Sequence, residues 1–164
     1  MASCFAFLYS YSLQTCLLLD SSVTTNPYFL YDRNWLYFVK SNDCPVSWIR
    51  NGGSSYCFVK KRLQWRSSKE SCISMGTHLL AIETEVEKTW IQDKASGDSW
   101  WIGGTDSNSE GTFYWEHSSK TMTYTNWYSN QPNGDANENC VSMEGDGSWH
   151  DYSCNHTFYY ICEK

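Results

Sequence analysis

The sequence predicts an α+β fold held together by disulfide bonds, on three observations. Apolar patterns follow one another as a hairpin, two helices and then strands separated by long polar loops. Six of the eight cysteines lie between residue 44 and the C-terminus, which is typical of a domain matured in an oxidising compartment. The chain has 164 residues, enough for one domain with a short extension and a real core.

The first elements follow a glycine pair. Gly52-Gly53 separates Trp48 from the apolar run 56–59, and apolar runs around a glycine turn predict a hairpin. Residues 66–75 have helical character, and Gly76 is a suitable stop.

A short strand and a second helix come next. Residues 78–82 predict a brief buried strand. Thr84 with Glu87 three residues on forms a capping box, and Val86 with Trp90 predicts an apolar stripe on the helix that follows.

Two aromatic runs predict further strands. Residues 100–104 are an apolar strand closing on a double glycine, and residues 113–115 begin another strand region. We expect Trp100, Trp115 and Trp127 to pack in the core rather than serve as platforms for sugars.

Residues 1–43 read as an N-terminal extension, apart from the domain at 44–164. Residues 1–19 carry no charge, as in a secretory signal peptide, but lack the usual early Lys or Arg and are too short and polar for a membrane span. Asp32 and Arg33 exclude a span within 27–40. This segment is either a strand-like lead-in or sequence removed from the mature chain.

The stretch 127–151 concentrates side-chain oxygens. Nine positions hold six amide or carboxylate side chains and no Lys or Arg: Gln131, Asn133, Asp135, Asn137, Glu138 and Asn139. Such a loop suits a hard cation, since Ca²⁺ takes about six to eight oxygen ligands. A solvated polar turn is the alternative. Cys140 and Cys154 lie on either side of the far half of the stretch, and Asp151 adds another acidic side chain there. These features favour a cation site over a solvated turn.

Several functions are excluded by charge and motif. A net charge of −6 argues against a nucleic-acid partner. The catalytic motifs HExxH, GxSxG and the P-loop are absent, and nothing marks a pair of acids as a glycosidase site, so we expect no enzyme. An EF-hand is excluded because Cys140 occupies the position that needs glycine.

From Cys44 to Cys162 the chain resembles a C-type lectin-like domain of the long form, over about three quarters of its length. The resemblance rests on motifs in the family's order: Cys44, Cys57, Trp65, Cys72, Leu79-Ala81-Ile82, Trp101-Ile102-Gly103-Gly104, Asn126-Trp127, Gln131-Pro132-Asn133, Glu138-Asn139-Cys140, Trp149-x-Asp151, Cys154 and Cys162. It implies the C-type lectin fold, with two helices, antiparallel sheets and a long calcium-binding loop region.

The resemblance also implies three disulfides, Cys44–Cys57, Cys72–Cys162 and Cys140–Cys154. Cys4 and Cys16 stay unassigned, either removed with a signal peptide or available to pair between chains.

The family's main calcium site implies Gln131, Asn133, Glu138 and Asp151 as ligands, with Pro132 cis. Their oxygens leave room in the coordination shell for two vicinal sugar hydroxyls. The same four residues and His150 would then contact the carbohydrate.

The tripeptide departs from the family's common forms. Gln-Pro-Asn is neither the Glu-Pro-Asn of mannose-preferring members nor the Gln-Pro-Asp of galactose-preferring ones. The sugar is therefore left open between the two classes, and one carboxylate fewer should weaken Ca²⁺, although Asp135 could compensate.

His150 stands where the family usually has Asn. Imidazole is a poor ligand for a hard cation, so we expect His150 to hydrogen-bond the sugar or to form a wall, and a surface histidine without a role is equally compatible. Beside the ion, a protonated His150 would repel Ca²⁺ and release ligand.

A second ion site is indicated by Asp106 and Glu110, which match the family's auxiliary acids and would share Glu138. Gly134, at another of these positions, brings no side chain, and a solvated acidic loop is the alternative.

The resemblance implies a secreted, calcium-dependent lectin that recognises glycans of microbial or self surfaces in innate immunity. Asn155 is a candidate glycosylation site, and association of several copies in a homo-oligomer would raise the avidity. The alternative is a domain of the same fold that binds a protein partner without calcium.

Overall fold

The computed structural model describes residues 7–10, 15–18, 36–38, 44, 47–95 and 97–164. Contacts divide the chain into two compact units, Met1–Asp43 and Cys44–Lys164. Cys4 and most of the predicted signal and lead-in segments lie outside the described residues, as does the side chain of Cys16.

The N-terminal unit contains a three-stranded antiparallel sheet. Its strands are β1 (Phe7–Ser10), β2 (Thr15–Leu18) and β3 (Leu36–Phe38), in the order β2-β1-β3.

The C-terminal unit is the α+β domain that the sequence predicts. Its elements are β4 (Ile49–Asn51), β5 (Ser54–Gln64), α1 (Trp65–Ser74), β6 (His78–Leu79), α2 (Glu85–Ala95), β7 (Trp100–Thr105), β8 (Tyr114–Trp115), β9 (Lys120–Thr121), β10 (Cys140–Met143), β11 (Trp149–Tyr152) and β12 (Thr157–Glu163). The predicted hairpin is β4–β5, in which Asn51 pairs with Ser54 across the glycine pair.

The main sheet has the order β11-β10-β7-β12-β5-β4. Its pairings are antiparallel, as expected, except at one place, where β12 runs parallel to β7 while it pairs antiparallel with β5 and β6. A parallel neighbour requires a crossover connection, and the chain between β7 and β12 supplies it with the long loop, β10 and β11.

The two helices follow their predicted bounds closely. Gly76, with φ at 73°, follows α1, where the left-handed backbone favours glycine. The predicted stripe of α2 is wrong at Val86, which is 79% exposed, whereas Trp90 packs half-buried against the core. The fully buried side chains of the helix are Ile91 and Ala95.

Tryptophans fill much of the core, as expected. Trp100 and Trp115 are almost fully buried, at 1% and 2% exposure, and the half-buried Trp127 packs against the same cluster. The three implied disulfides, Cys44–Cys57, Cys72–Cys162 and Cys140–Cys154, are all present.

No helix within the described ranges is long and apolar enough to cross a membrane. The fold leaves the stretch between β9 and β10 as a long loop beside β11. Gln131, Asn133 and Glu138 lie in this loop, and Asp151 lies in β11.

Candidate functional site

The long loop is fastened to strand β11 by backbone contacts. Trp127 forms a parallel bridge with Trp149. Tyr128 N–H donates to Trp149 O at 2.9 Å, and Trp149 N–H donates to Asn126 O at 2.8 Å. The peptide bond between Gln131 and Pro132, a few residues further on, is cis, as the resemblance implies.

Asp151 connects the strand to the tip of this loop. Its Oδ1 accepts from Asn133 N–H at 3.1 Å and its Oδ2 accepts from Gly134 N–H at 2.9 Å. Its own N–H points at Gln131 Oε1, 3.4 Å away. The residue is only 3% exposed, so a carboxylate is held at the base of the loop by backbone amides.

Glu138 approaches the same point. A Cβ built on Gly134 would clash with the Glu138 Cβ and would lie 2.9 Å from both Asp151 Oδ2 and Glu138 Oε2. The two carboxylates therefore flank Gly134, which fits because it has no side chain. The structure thus brings Gln131, Asn133, Glu138 and Asp151 together.

A second group of oxygens lies around Asp106, which is 2% exposed. Its Oδ2 accepts from Gly111 N–H at 2.9 Å, whereas Oδ1 is buried without a hydrogen-bond partner. Asn139 lies alongside, with its backbone oxygen 3.4 Å from Asp106 N and its Oδ1 also buried without a partner. Buried polar atoms are nearly always satisfied, so two orphaned oxygens in neighbouring residues leave room for a donor or a cation.

The other acidic side chains near this group are Glu110, which follows β7, and Asp135 of the long loop. Desolvation, together with repulsion from Asp106, Asp135 and Asp151, raises the pKa of Glu110 above its usual range. The Asp135 carboxylate is engaged locally, since its Oδ1 accepts from Asn137 N–H at 3.1 Å and from Asn137 Nδ2 at 2.6 Å.

No basic side chain of the described residues neutralises this group. The ion pairs among the described residues involve acids outside this group, such as Glu116 with Lys69 and Asp98 with Lys60. Buried carboxylates without a cationic partner are costly, and a bound cation removes that cost.

The donor set suits calcium better than a transition metal. Across the described residues, no three His, Cys, Asp or Glu side chains gather closely enough to hold an ion alone. The groups at hand are carboxylates together with the amide oxygen of Gln131 at one point and that of Asn139 beside Asp106, and oxygen donors of this kind match a hard cation. The residues present therefore fit Ca²⁺.

His150 lies beside the site but within an aromatic row. Its ring stacks between those of Tyr128 and Tyr152, with centroids 5.0 Å and 5.9 Å away. Desolvation, then the charges of Glu144, Glu138 and Asp151, raise the pKa of Tyr152. The acidic side chains of Glu138 and Asp151 are thus close to the row of rings that contains Tyr152.

A shallow groove of about 320 Å³ lies on another side of the tripeptide. Phe113, Met122, Trp127 and Pro132 give it apolar walls, and exposed threonines add hydroxyl groups. These walls are uncharged, in contrast to the acidic loop. The groove offers space beside Pro132 for a neutral part of a ligand.

Sequence reasoning missed Tyr128 and the steric role of Gly134. Tyr128 precedes the tripeptide without matching a motif, and only the alternation along β11 could have indicated a row with His150 and Tyr152. The approach of Glu138 to Gly134 depends on the path of the loop, which no local pattern encodes.

Comparison with known proteins gives consistent matches. The family model described as the lectin C-type domain matches residues 61–164. CD209 antigen-like protein D of Mus musculus is 35% identical over 125 residues, covering 74% of this chain and 52% of the relative. The chain spans little more than half the length of the first curated relatives it matches.

Solved structures share the fold. The mouse scavenger receptor C-type lectin carbohydrate-recognition domain is 30% identical with a TM-score of 0.70, covering 74% of this chain and 97% of that one. A calcium-independent type II antifreeze protein is 26% identical with a TM-score of 0.68, covering 74% of this chain and 93% of that one.

Proposed function

This chain belongs to the C-type lectin domain family, and from that premise we propose that it binds carbohydrate through a calcium ion held by the long loop. The observation that supports this proposal is the convergence of Gln131, Asn133, Glu138 and Asp151 on one point beside β11, without a neutralising cation among the described residues. The cluster is rich in oxygen atoms and acidic, and it has no ion-pair partner among the described residues, so it suits calcium.

The four residues would share the work of holding ion and sugar. Glu138 and Asp151 supply negative charge, and the amides of Gln131 and Asn133 supply neutral oxygens. Bound Ca²⁺ would offer its remaining coordination positions to two vicinal hydroxyls of a saccharide. Because an amide can donate as well as accept, Gln131 and Asn133 can hydrogen-bond hydroxyls of either orientation, so mannose-like and galactose-like sugars are both candidates.

Asp106, Glu110 and Asn139 would hold an auxiliary ion. The orphaned oxygens of Asp106 and Asn139 support this role. The raised pKa of Glu110, which comes from desolvation first and then from repulsion by neighbouring aspartates, is consistent with it. A cation there would relieve the repulsion and tie the loop to the end of β7.

The biological setting we propose is recognition of microbial or self surface glycans by a secreted, non-catalytic protein of innate immunity. The scavenger receptor domain is itself described as a carbohydrate-recognition domain. A shallow site binds single sugars weakly, so several copies would be needed for useful avidity. Asn155 is exposed, as a glycosylation site must be.

A second candidate function is binding of a protein partner without calcium. Both oxygens of Asp151 already accept hydrogen bonds from backbone amides, so the loop closes without an ion. A solved structure with this fold is described as a calcium-independent antifreeze protein, so a function without calcium is compatible with the fold.

A glycan array separates these candidates. The wild-type protein is probed in millimolar calcium and again in EDTA, beside Glu138→Gln and the control Glu70→Gln, which removes an exposed acid from α1. We expect saccharide binding in calcium, its loss in EDTA and in Glu138→Gln, and no change in Glu70→Gln. Binding that persists undiminished in EDTA would contradict the calcium-dependent function.

A further inference from the structure

Four rings form a row next to the candidate site. The centroids of Tyr128 and His150 are 5.0 Å apart with 20° between their planes, and those of His150 and Tyr152 are 5.9 Å apart with 11°. Tyr152 and His156 continue the row at 5.5 Å and 28°. The row is therefore a stack of nearly parallel rings.

The alternation of β11 explains why the row forms. Successive side chains of a strand point to opposite faces. Trp149 and Asp151 are buried at 0% and 3% exposure, whereas His150 and Tyr152 are half-buried on the other face. The row thus runs along the strand that carries Asp151.

Tyr128 is the open end of the row. Its side chain is 52% exposed, one of the few large apolar side chains with such exposure. His150 covers one face of its ring, and no other ring of the described residues stacks on it. One aromatic face is therefore available to a ligand.

The backbone fixes this face relative to the candidate calcium ligands. Tyr128 N–H donates to Trp149 O at 2.9 Å, and Gln131 N–H donates to Tyr128 O at 2.9 Å. The same residue is thus bonded both to the strand that carries Asp151 and to the first residue of the tripeptide. Because these bonds hold the backbone and His150 stacks on one face of the ring, the ring has little freedom to lose when a ligand arrives.

A pyranose presents an apolar face of C–H groups, and tyrosine offers a large, rigid, amphipathic surface at low entropic cost. We propose that the exposed face of Tyr128, backed by His150, is a second saccharide subsite. It stacks the unit joined to the sugar that is held at Gln131, Asn133, Glu138 and Asp151. This subsite rests on the proposed function, since it extends the same site.

The test compares disaccharides with their monosaccharides in millimolar calcium, using methyl α-mannoside with mannobiose and methyl β-galactoside with lactose. Affinities are measured by proton NMR titration for wild type, Tyr128→Ala and Tyr128→Phe. For the pair that binds, we expect the wild type to prefer the disaccharide roughly five- to tenfold, as stacking strengths suggest. The preference should vanish in Tyr128→Ala and remain in Tyr128→Phe, with upfield shifts of the stacked sugar protons only where a ring is present.

Ile73→Ala is the matched control, because it removes an apolar side chain of similar exposure, 54%, from α1. Near-ultraviolet circular dichroism and calcium titration show whether Tyr128→Ala keeps its fold and its ion; a variant that lost either is replaced by Tyr128→Leu, which keeps bulk without a ring. A disaccharide preference that survives ring removal overturns the subsite, while calcium-dependent monosaccharide binding would leave the proposed function standing. Failure of wild type to bind any of the four sugars overturns both.

Discussion

At the scale of residues, Asp151 and Glu138 carry equal charges but do different work. The Asp151 carboxylate accepts two backbone N–H bonds that hold the loop, whereas the Glu138 carboxylate accepts none from the described residues. One acid is therefore structural as well as a candidate ligand, and the other is a candidate ligand alone.

This difference predicts the outcome of replacing each acid by its amide. In EDTA, Asp151→Asn should lower the free energy of unfolding by about 1–3 kcal/mol, because an amide group turns a donor toward one of the two N–H groups. Glu138→Gln should leave that value nearly unchanged. Both variants should lose most of the stabilisation that calcium gives the wild type. Urea unfolding in EDTA and in calcium measures all three; equal stability of the two variants in EDTA would refute the structural role of Asp151.

The candidate ligands could be identified from the sequence because they sit in short motifs with fixed spacing. Gln131, Asn133 and Glu138 are close along the chain, and the resemblance supplied Asp151. Tyr128 could not be identified in the same way, because its importance depends on stacking against a ring 22 positions away. Contacts between distant segments leave no local pattern.

At the scale of elements, α2 shows which features of a helix local sequence determines. The predicted cap is present, since Glu87 N–H donates to Thr84 Oγ1 at 3.2 Å. The reciprocal bond to the Glu87 carboxylate comes from Glu83 N–H at 3.0 Å, one residue earlier than a capping box requires. Capping is a contact within four residues, so sequence predicts it well.

The buried face of α2 was predicted wrongly for a physical reason. Val86 and Trp90 form one pair at i, i+4 spacing, and Ile91 and Ala95 form another. Periodicity recognises both pairs, but only docking on the sheet decides how far each residue is buried. Trp90 packs half-buried against the core, whereas Val86 is left exposed. The Tyr56 hydroxyl helps to set the orientation by donating to Glu87 Oε1 at 2.7 Å.

Removal of the cap should have a measurable cost. We expect Thr84→Ala to lower the free energy of unfolding by about 1 kcal/mol, because the Glu87 N–H loses its acceptor. In thermal unfolding this corresponds to a drop in Tm of roughly 3–6 °C for a domain of this size. Thr84→Ser retains the hydroxyl and is the control. A Tm unchanged by the alanine would show that the cap contributes nothing.

At the scale of the whole molecule, the disulfides constrain very different lengths of chain. Cys72–Cys162 spans 90 residues and joins α1 to β12, whereas Cys44–Cys57 spans 13 within the first hairpin region. Longer closed loops remove more entropy from the unfolded chain.

The two bridges should therefore differ in their contributions. Replacing Cys72 and Cys162 by serine should cost about 4–5 kcal/mol, and replacing Cys44 and Cys57 about 3 kcal/mol, in the chain-entropy model. Guanidinium unfolding of the two double variants, both in EDTA so that calcium does not intervene, gives the comparison. Equal losses, or a larger loss for the short bridge, would contradict the entropic ranking.

The order of elements was predictable from the sequence, but their arrangement in the sheet was not. Apolar runs beside glycine pairs mark strands such as β5 and β7 locally. The parallel pairing of β7 with β12 joins segments that are more than fifty residues apart. Only the resemblance to a known fold could predict a pairing between segments so far apart in the chain.

The position of β12 has a consequence for how the protein is made. This strand, Thr157–Glu163, lies between β5 and β7 at the centre of the main sheet, although it is the last strand of that sheet to be synthesised. Until it emerges, β4–β5 and β7–β10–β11 share no paired edge, and Cys72 has no partner in Cys162. The domain therefore completes its sheet only after translation of residue 163, and until then the facing edges of β5 and β7 stay unpaired with β12.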